Sequence, residues 1–137
     1  MREGPILEAM DRQDCLALLR RLRWGHVAMT LDAMPAIRSV RFVLDDGDIR
    51  FWVSKGSRLL RAVFGTVVAF HAESIDESAG EAMSVHVTGI AQPVIEARSS
   101  LFPTAGLPPW SGTAGADELI RLSTEDISGQ RVRWEAS

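Results

Sequence analysis

The chain has 137 residues, 46% of them hydrophobic and 24% charged, with a formal net charge of −3. That length suits one compact domain spanning 1–137, and the balance excludes disordered and fibrous classes. A net negative chain has no electrostatic footprint for nucleic acid or anionic lipid, so any anion site has to be local.

Residues 1–10 read as a lead-in. Asp11 is placed to cap a helix, with Asp14 three positions on, and Leu16, Leu19 and Leu22 recur at helical spacing. Together they predict a helix from 12 to about 23, ending before Gly25. From Gly25 the period falls to two. "HVAMTL" predicts a strand, "DAMP" a turn, "AIRSVRFVL" a second strand, Asp46-Gly47 a hairpin turn and "IRFWVS" a third strand, so 26–54 reads as an antiparallel meander. A short helix over about 57–64 ends at Gly65. "TVVAFHAE" follows as a fourth strand, too apolar at its centre to be half exposed. Residues 75–82 read as an acidic, solvated loop, and "MSVHVTGIAQPVI" as a fifth strand with Gly89 allowing a bend. A short helix over 96–102 and a loop over "FPTAGLPPWSG" are expected next. "DELIRLSTEDI" and "QRVRW" form one or two final strands, parted at Ser128-Gly129. Five or six antiparallel strands with few short helices predict a mainly β fold with flanking helices. The periodicity fits a small barrel or a sandwich equally, and closure into a barrel would remove exposed edges.

Cys15 stands alone, which excludes an intrachain disulfide and a cysteine-based zinc site. His26, His71 and His86 lie far apart in the chain, without metal-ligand spacing, and each reads as a structural strand histidine. No basic-then-apolar leader and no apolar run near 18 residues is present, so the chain reads as cytoplasmic, with no membrane partner.

The chemistry concentrates at "SKGSR". Ser57 can cap the helix that follows, Arg58 offers a forked donor matched to phosphate, Lys55 adds a point charge, and Gly56 lets the backbone approach closely. The plainer reading is a serine cap flanked by surface cations. In "PAIRSVRFVL", Arg38 shares its strand phase with Val40 and Phe42, an inward register that is costly without an anion. Two readings stand for it: convergence with Ser57 and Arg58 on one phosphate, or pairing at a rim with Glu73 or Asp32.

Behind a leading amphipathic helix, the runs "GHVAMTLDAMPAIRSVRF", "GDIRFWVSKGSRLLRA" and "SVHVTGIAQPV" carry a resemblance. From about Cys15 to Val94 the chain resembles the pyridoxamine 5′-phosphate oxidase-like, FMN-binding split β-barrel family. The C-terminal "ISGQRVRW" is similar to the closing strand of its short members. The resemblance implies an antiparallel split β-barrel and a homodimer with the flavin in the groove between protomers. It also implies flavin redox chemistry on a small organic substrate, with FMN as cofactor. Arg38 then opens the flavin-contacting strand, with Ser39, Val40 and Arg41 along the same edge. Trp52 and Val53 align beside the ribityl chain and ring, and Ser57 and Arg58 with the phosphate positions. Ser84 falls where full-length members reach the flavin from the partner strand. No catalytic residue is assigned.

The departures from the family's pattern are Val53 in place of a hydroxyl residue, Leu59 in place of a second basic residue, and Ser39 in place of a proline. A long C-terminal substrate-binding region has no counterpart, so vitamin oxidation as such is not implied. Two alternatives stay open. A deazaflavin-dependent reductase would draw extra cations from Arg41 and Arg61; a non-catalytic flavin-binding or sensing barrel is favoured by Val53 and Leu59. The four tryptophans, Trp24, Trp52, Trp110 and Trp134, suit an interface, although ordinary packing explains each as well.

Overall fold

Asp11 caps helix α1 (Arg12–Arg21), its carboxylate accepting from the Asp14 backbone N–H at 2.8 Å. Cys15, Leu18 and Leu19 form the buried stripe, with Leu16 and Leu22 partly covered beside it. The helix stops at Leu22, where the backbone turns extended, two residues short of the predicted end. In the computed structural model residues 4–54, 58–94 and 117–136 are described. The remaining elements are β1 (Ile6–Met10), β2 (Trp24–Leu31), β3 (Met34–Asp45), β4 (Asp48–Ser54), α2 (Arg58–Val63), β5 (Val67–Asp76), β6 (Glu81–Ile90), β7 (Gln92–Pro93), β8 (Asp117–Ser123) and β9 (Ile127–Arg133).

The nine strands form one antiparallel sheet in the order β1-β9-β6-β5-β2-β3-β4-β8-β7. One feature of that order dictates the shape. β6 and β7 are separated by five strands across the sheet but by Ala91 alone along the chain. A flat sheet cannot satisfy both, so it curls until its far end meets β6 and closes a barrel. At the seam Gly65 donates to the Ala91 carbonyl at 2.8 Å, and Ala91 donates back to Thr66 at 3.0 Å. β9 and β1 extend beyond the closed part, which makes the barrel a split one.

One core fills it, built from inward residues of every wall: Val27, Val40, Phe42, Ile49, Phe51, Val53, Phe70, Val85, Val87 and Ile120 are all at most 2% exposed. Phe42 and Phe70 meet edge to face, ring centroids 4.8 Å apart, an arrangement the ring quadrupoles favour. Arg12 locks α1 onto this end of the barrel. Its guanidinium donates to the Thr124 carbonyl at 2.6 Å and to Thr124 Oγ1 at 3.2 Å, while that hydroxyl donates to the Gly47 carbonyl at 2.7 Å. Asp46 and Gly47 hold φ of 51° and 81°, the left-handed pair that a two-residue hairpin turn demands.

Several expectations need correction. The lead-in contains β1, whose partner β9 lies more than a hundred residues away, so nothing local announces it. β5 is half exposed after all: Val67 and Ala69 face outward while Val68, Phe70 and Ala72 face the core. The acidic stretch 75–82 is half strand, with Glu77–Gly80 turning between β5 and β6. β6 continues through Gly89 in unbroken register with β5 and ends before Ala91. The last two strands part at 124–126, and Ser128 and Gly129 sit inside β9. Gly129 is required there by close approach, because a Cβ would stand 2.5 Å from Cys15 Sγ. The helix and loop expected over 96–102 and 102–112 lie outside the described residues.

Candidate functional site

The predicted site residues separate into distinct environments. Lys55 and Ser57 lie outside the described residues, so the serine cap does too. Arg58 begins α2 and ion-pairs with Asp32, both side chains about two-thirds exposed. Asp32 and Ala33 form the tight turn between β2 and β3, with φ of 52° and 64°. The turn and α2 wall a cleft of about 380 Å³ lined by Thr30, Asp32, Arg58, Arg61, Ala62 and Thr66. Thr66 is held there by its hydroxyl, which donates to the Ala62 carbonyl at 2.7 Å. The cleft brings two cations and two hydroxyls together at the mouth of the barrel.

Arg38 does not join them. It shares the inward phase of Val40 and Phe42 and stands opposite Val27 of β2. There its side chain is exposed and donates to the neighbouring Ile37 carbonyl at 2.9 Å. The acids offered as its partners are engaged elsewhere, Asp32 with Arg58 and Glu73 near His71. Val40 and Val53 point into the core at 1% and 0% exposure, which closes their side chains to any ligand. Trp52 is half-buried on the outer side of β4, packed with Val43, Leu119 and Val94.

Ser39, Arg41 and Ser84 share one surface, the outer face of the β9-β6-β5-β2-β3 wall. Side chains alternate along each strand, and the register then aligns them in rows. Arg41 stands opposite Trp24, its guanidinium carbon 5.8 Å from the ring centroid, a cation–π contact. Thr30 belongs to the outward phase of β2 and also lines the cleft, so the cleft opens beside this face.

The middle row holds residues that sequence reasoning set aside. His26 pairs with His71, and His71 with His86, across three adjacent strands. Ser39 and Ser128 close the row at its ends. His71 Nδ1 and His86 Nε2 are 2.9 Å apart, and Glu73 lies 3.4 Å from His71 Nε2. Burial, reinforced by the neighbouring His71, lowers the His86 pKa from its ordinary 6.5, against an opposing pull from Glu73. A signal for half of this was present. His71 and His86 are equidistant from the Ser78-Ala79 turn, which a hairpin reading of 75–82 would have paired; His26 joins only through the long-range β2–β5 contact. Among the described residues no group of His, Cys, Asp and Glu is arranged to hold a metal ion.

A larger cleft of about 640 Å³ is lined by residues that include Asp48, Arg50, Phe64, Gln92 and Arg121. Its cations are matched within the chain: Arg121 donates to Asp48 at 3.1 Å and to Gln92 at 2.9 Å, and Arg50 reaches Asp45 at 3.6 Å.

Comparison with known proteins decides the family. The family model for pyridoxamine 5′-phosphate oxidase matches residues 11–131. The chain belongs to that family. It is 30% identical over 128 residues to the uncharacterized protein Rv0080 of Mycobacterium tuberculosis, covering 90% of this chain and 84% of that one. Its fold is similar to the FAD binding protein of Mycobacterium smegmatis, with a TM-score of 0.73, 22% identity, and 93% and 100% of the two chains covered. It is also similar to an FAD-binding protein of Mesorhizobium loti, with a TM-score of 0.74, 17% identity, and 94% and 98% covered. These likenesses place the fold of this family member as the split barrel derived above. Among its described residues no helix is long and apolar enough to cross a membrane.

Proposed function

We propose that the protein is a flavin-dependent oxidoreductase, working as a homodimer in the cytoplasm on a small organic substrate, with FMN as its cofactor. The observation that carries this reading is the Asp32–Arg58 cleft, where Arg58 and Arg61 meet two hydroxyl residues at a barrel mouth. Arg58 would hold the phosphate by its planar fork, and Thr30 offers a hydroxyl beside it. A bound flavin supplies the electron or hydride transfer, while the chain supplies binding, orientation and electrostatics. The scarcity of acid–base side chains in the cleft suits that division.

The dimer is supported by the outer face, where small and apolar side chains lie open along several strands. Trp24, Ile37, Val67 and Ile90 are each more than half exposed there. Arg41 and Ser84 on that face would border a flavin leaving the cleft, which agrees with their alignment in the family.

A second cofactor reading has its own support: the two similar structures named above are FAD-binding proteins. A deazaflavin would need more cations along its tail, which Arg41 and Arg61 could supply. Releasing the cofactor from purified protein by heat and weighing it by mass spectrometry separates the three. FMN is the expected mass. FAD or a deazaflavin would replace it, and a colourless protein that releases none would remove the enzymatic reading.

A further inference from the structure

The histidine row crosses the middle of a face with few charges. The six strands β1, β9, β6, β5, β2 and β3 lie side by side there, spanning about 24 Å, with about 23 Å of strand length. That footprint, once side-chain relief is counted, approaches the roughly 800 Å² per partner of a standard dimer contact. Leu7, Ile37 and Val67 stand 64% exposed on it, Trp24 55% and Ile90 53%. Ala28, Ala69 and Thr88 fill the row beside the histidines. Among the outward strand residues of this wall, Arg41, Glu73 and, at the far end of β3, Asp45 carry a formal charge. The three imidazoles lie at the centre of that surface.

We propose that a second copy of the chain docks on this face, and that protonation of His86, within the His26–His71–His86 row, weakens the contact, so that the assembly responds to pH. This rests on the homodimer reading above and adds its regulation. A two-fold contact uses the same patch on both copies, so each row is covered by the partner's version of this face. Covering an imidazole with apolar side chains disfavours its charged form.

The surroundings of His86 leave little to compensate a charge. β5 presents His71 and Glu73 to it, and β2 presents His26 one strand further on. β9 offers Ser128 and Gln130, neither of which titrates. Glu73 can balance one positive charge in the row but not two. Arg41 is stacked on Trp24 and adds to the positive side. Arg131 and Arg133 of β9 are engaged with Glu8 and Glu81.

The direction follows from these contacts. His86 is held below its ordinary pKa even in the single chain, and a partner would lower it further. The contact is thus at full strength above the free chain's value. It weakens as pH falls through that value, because the separated copies then bind protons that the dimer excludes. Each excluded proton changes the dissociation constant about tenfold per pH unit, and two copies contribute one each.

Sedimentation equilibrium at pH 7.5 and pH 5.5 tests this, on the wild type and on His86→Gln with His71→Gln. The wild type is expected to dimerise at pH 7.5 and to lose affinity as the pH is lowered to 5.5. The double variant is expected to stay dimeric at both. Far-UV circular dichroism at pH 5.5 keeps the result interpretable, since the chain is expected to remain folded. A wild type that is monomeric at pH 7.5 overturns the dimer reading itself. A dimer with unchanged affinity at pH 5.5 leaves that reading standing and overturns the switch. Unfolding over the same pH range, or a dimer that EDTA dissociates at pH 7.5, also overturns it.

Discussion

Replacing Arg58 and its partner Asp32 separately should move cofactor affinity in opposite directions. In the free chain the two form an ion pair, with side chains 64% and 67% exposed. A pair this open is worth about 0.2–1 kcal/mol, and a phosphate competing for the guanidinium has to displace it. Asp32→Asn removes the competitor. Asn also tolerates the left-handed φ of 52° that this turn position holds, so the turn survives. FMN affinity should then rise by roughly 1.4- to 5-fold. Arg58→Ala removes a charge-assisted contact worth about 1.5–3 kcal/mol, which lowers affinity roughly ten- to a hundred-fold. Arg58→Lys should recover only part, because an ammonium cannot reproduce the fork. Fluorescence titration with FMN and with riboflavin, which lacks the phosphate, reads the effect. All three substitutions should leave riboflavin binding and the melting temperature nearly unchanged. If Arg58→Ala binds FMN as the wild type does, or weakens riboflavin equally, the phosphate reasoning is wrong and Arg58 is an ordinary surface cation.

Other predictions follow from the packing. Thr124→Val deletes a hydroxyl at 1% exposure that bonds Gly47 and Arg12; the loss should be about 1–2 kcal/mol by urea unfolding, and a change below 0.5 kcal/mol would show that the lock is idle. Gly129→Ala would push a Cβ to 2.5 Å from Cys15 Sγ and 3.1 Å from the Ser84 carbonyl. It should destabilise by roughly 1–3 kcal/mol and be partly rescued by Cys15→Ala, whereas no coupling between the two would contradict the clash. The Cys15 thiol is enclosed, and burial, followed by the Asp11 and Asp14 charges, raises its pKa from 9.0. A thiol reagent at pH 8 should therefore label the chain only as it unfolds, and rapid stoichiometric labelling of folded protein would refute that enclosure.

Local chemistry was legible in the sequence wherever the determinant was itself local. Asp11 with Asp14 announced the cap, Asp46-Gly47 announced the hairpin, and the alternation in "VRFVL" announced a half-buried strand. What could not be read was pairing at long range. β1 is a short exposed strand whose reason to exist is β9, and the outward face of β5 looks apolar because its setting is a broad wall of strands. Barrel closure was equally hidden, since it depends on β7 reaching β8 directly after β6 has ended. The site divided along the same line. Arg58 and Arg61 could be picked out because cations flank a small-residue joint within a few positions. Asp32 as the partner of Arg58, and the alignment of three histidines, depend on which strands the fold sets side by side.

The central claim is that this chain binds a flavin through a phosphate contact in the Arg58 cleft. Equilibrium titration of cofactor-stripped protein with FMN, followed by quenching of flavin fluorescence, tests it most directly. The account predicts saturation at one FMN per protomer, weaker binding of riboflavin, and competition by inorganic phosphate. Unquenched fluorescence with FMN, FAD and a deazaflavin alike would contradict it.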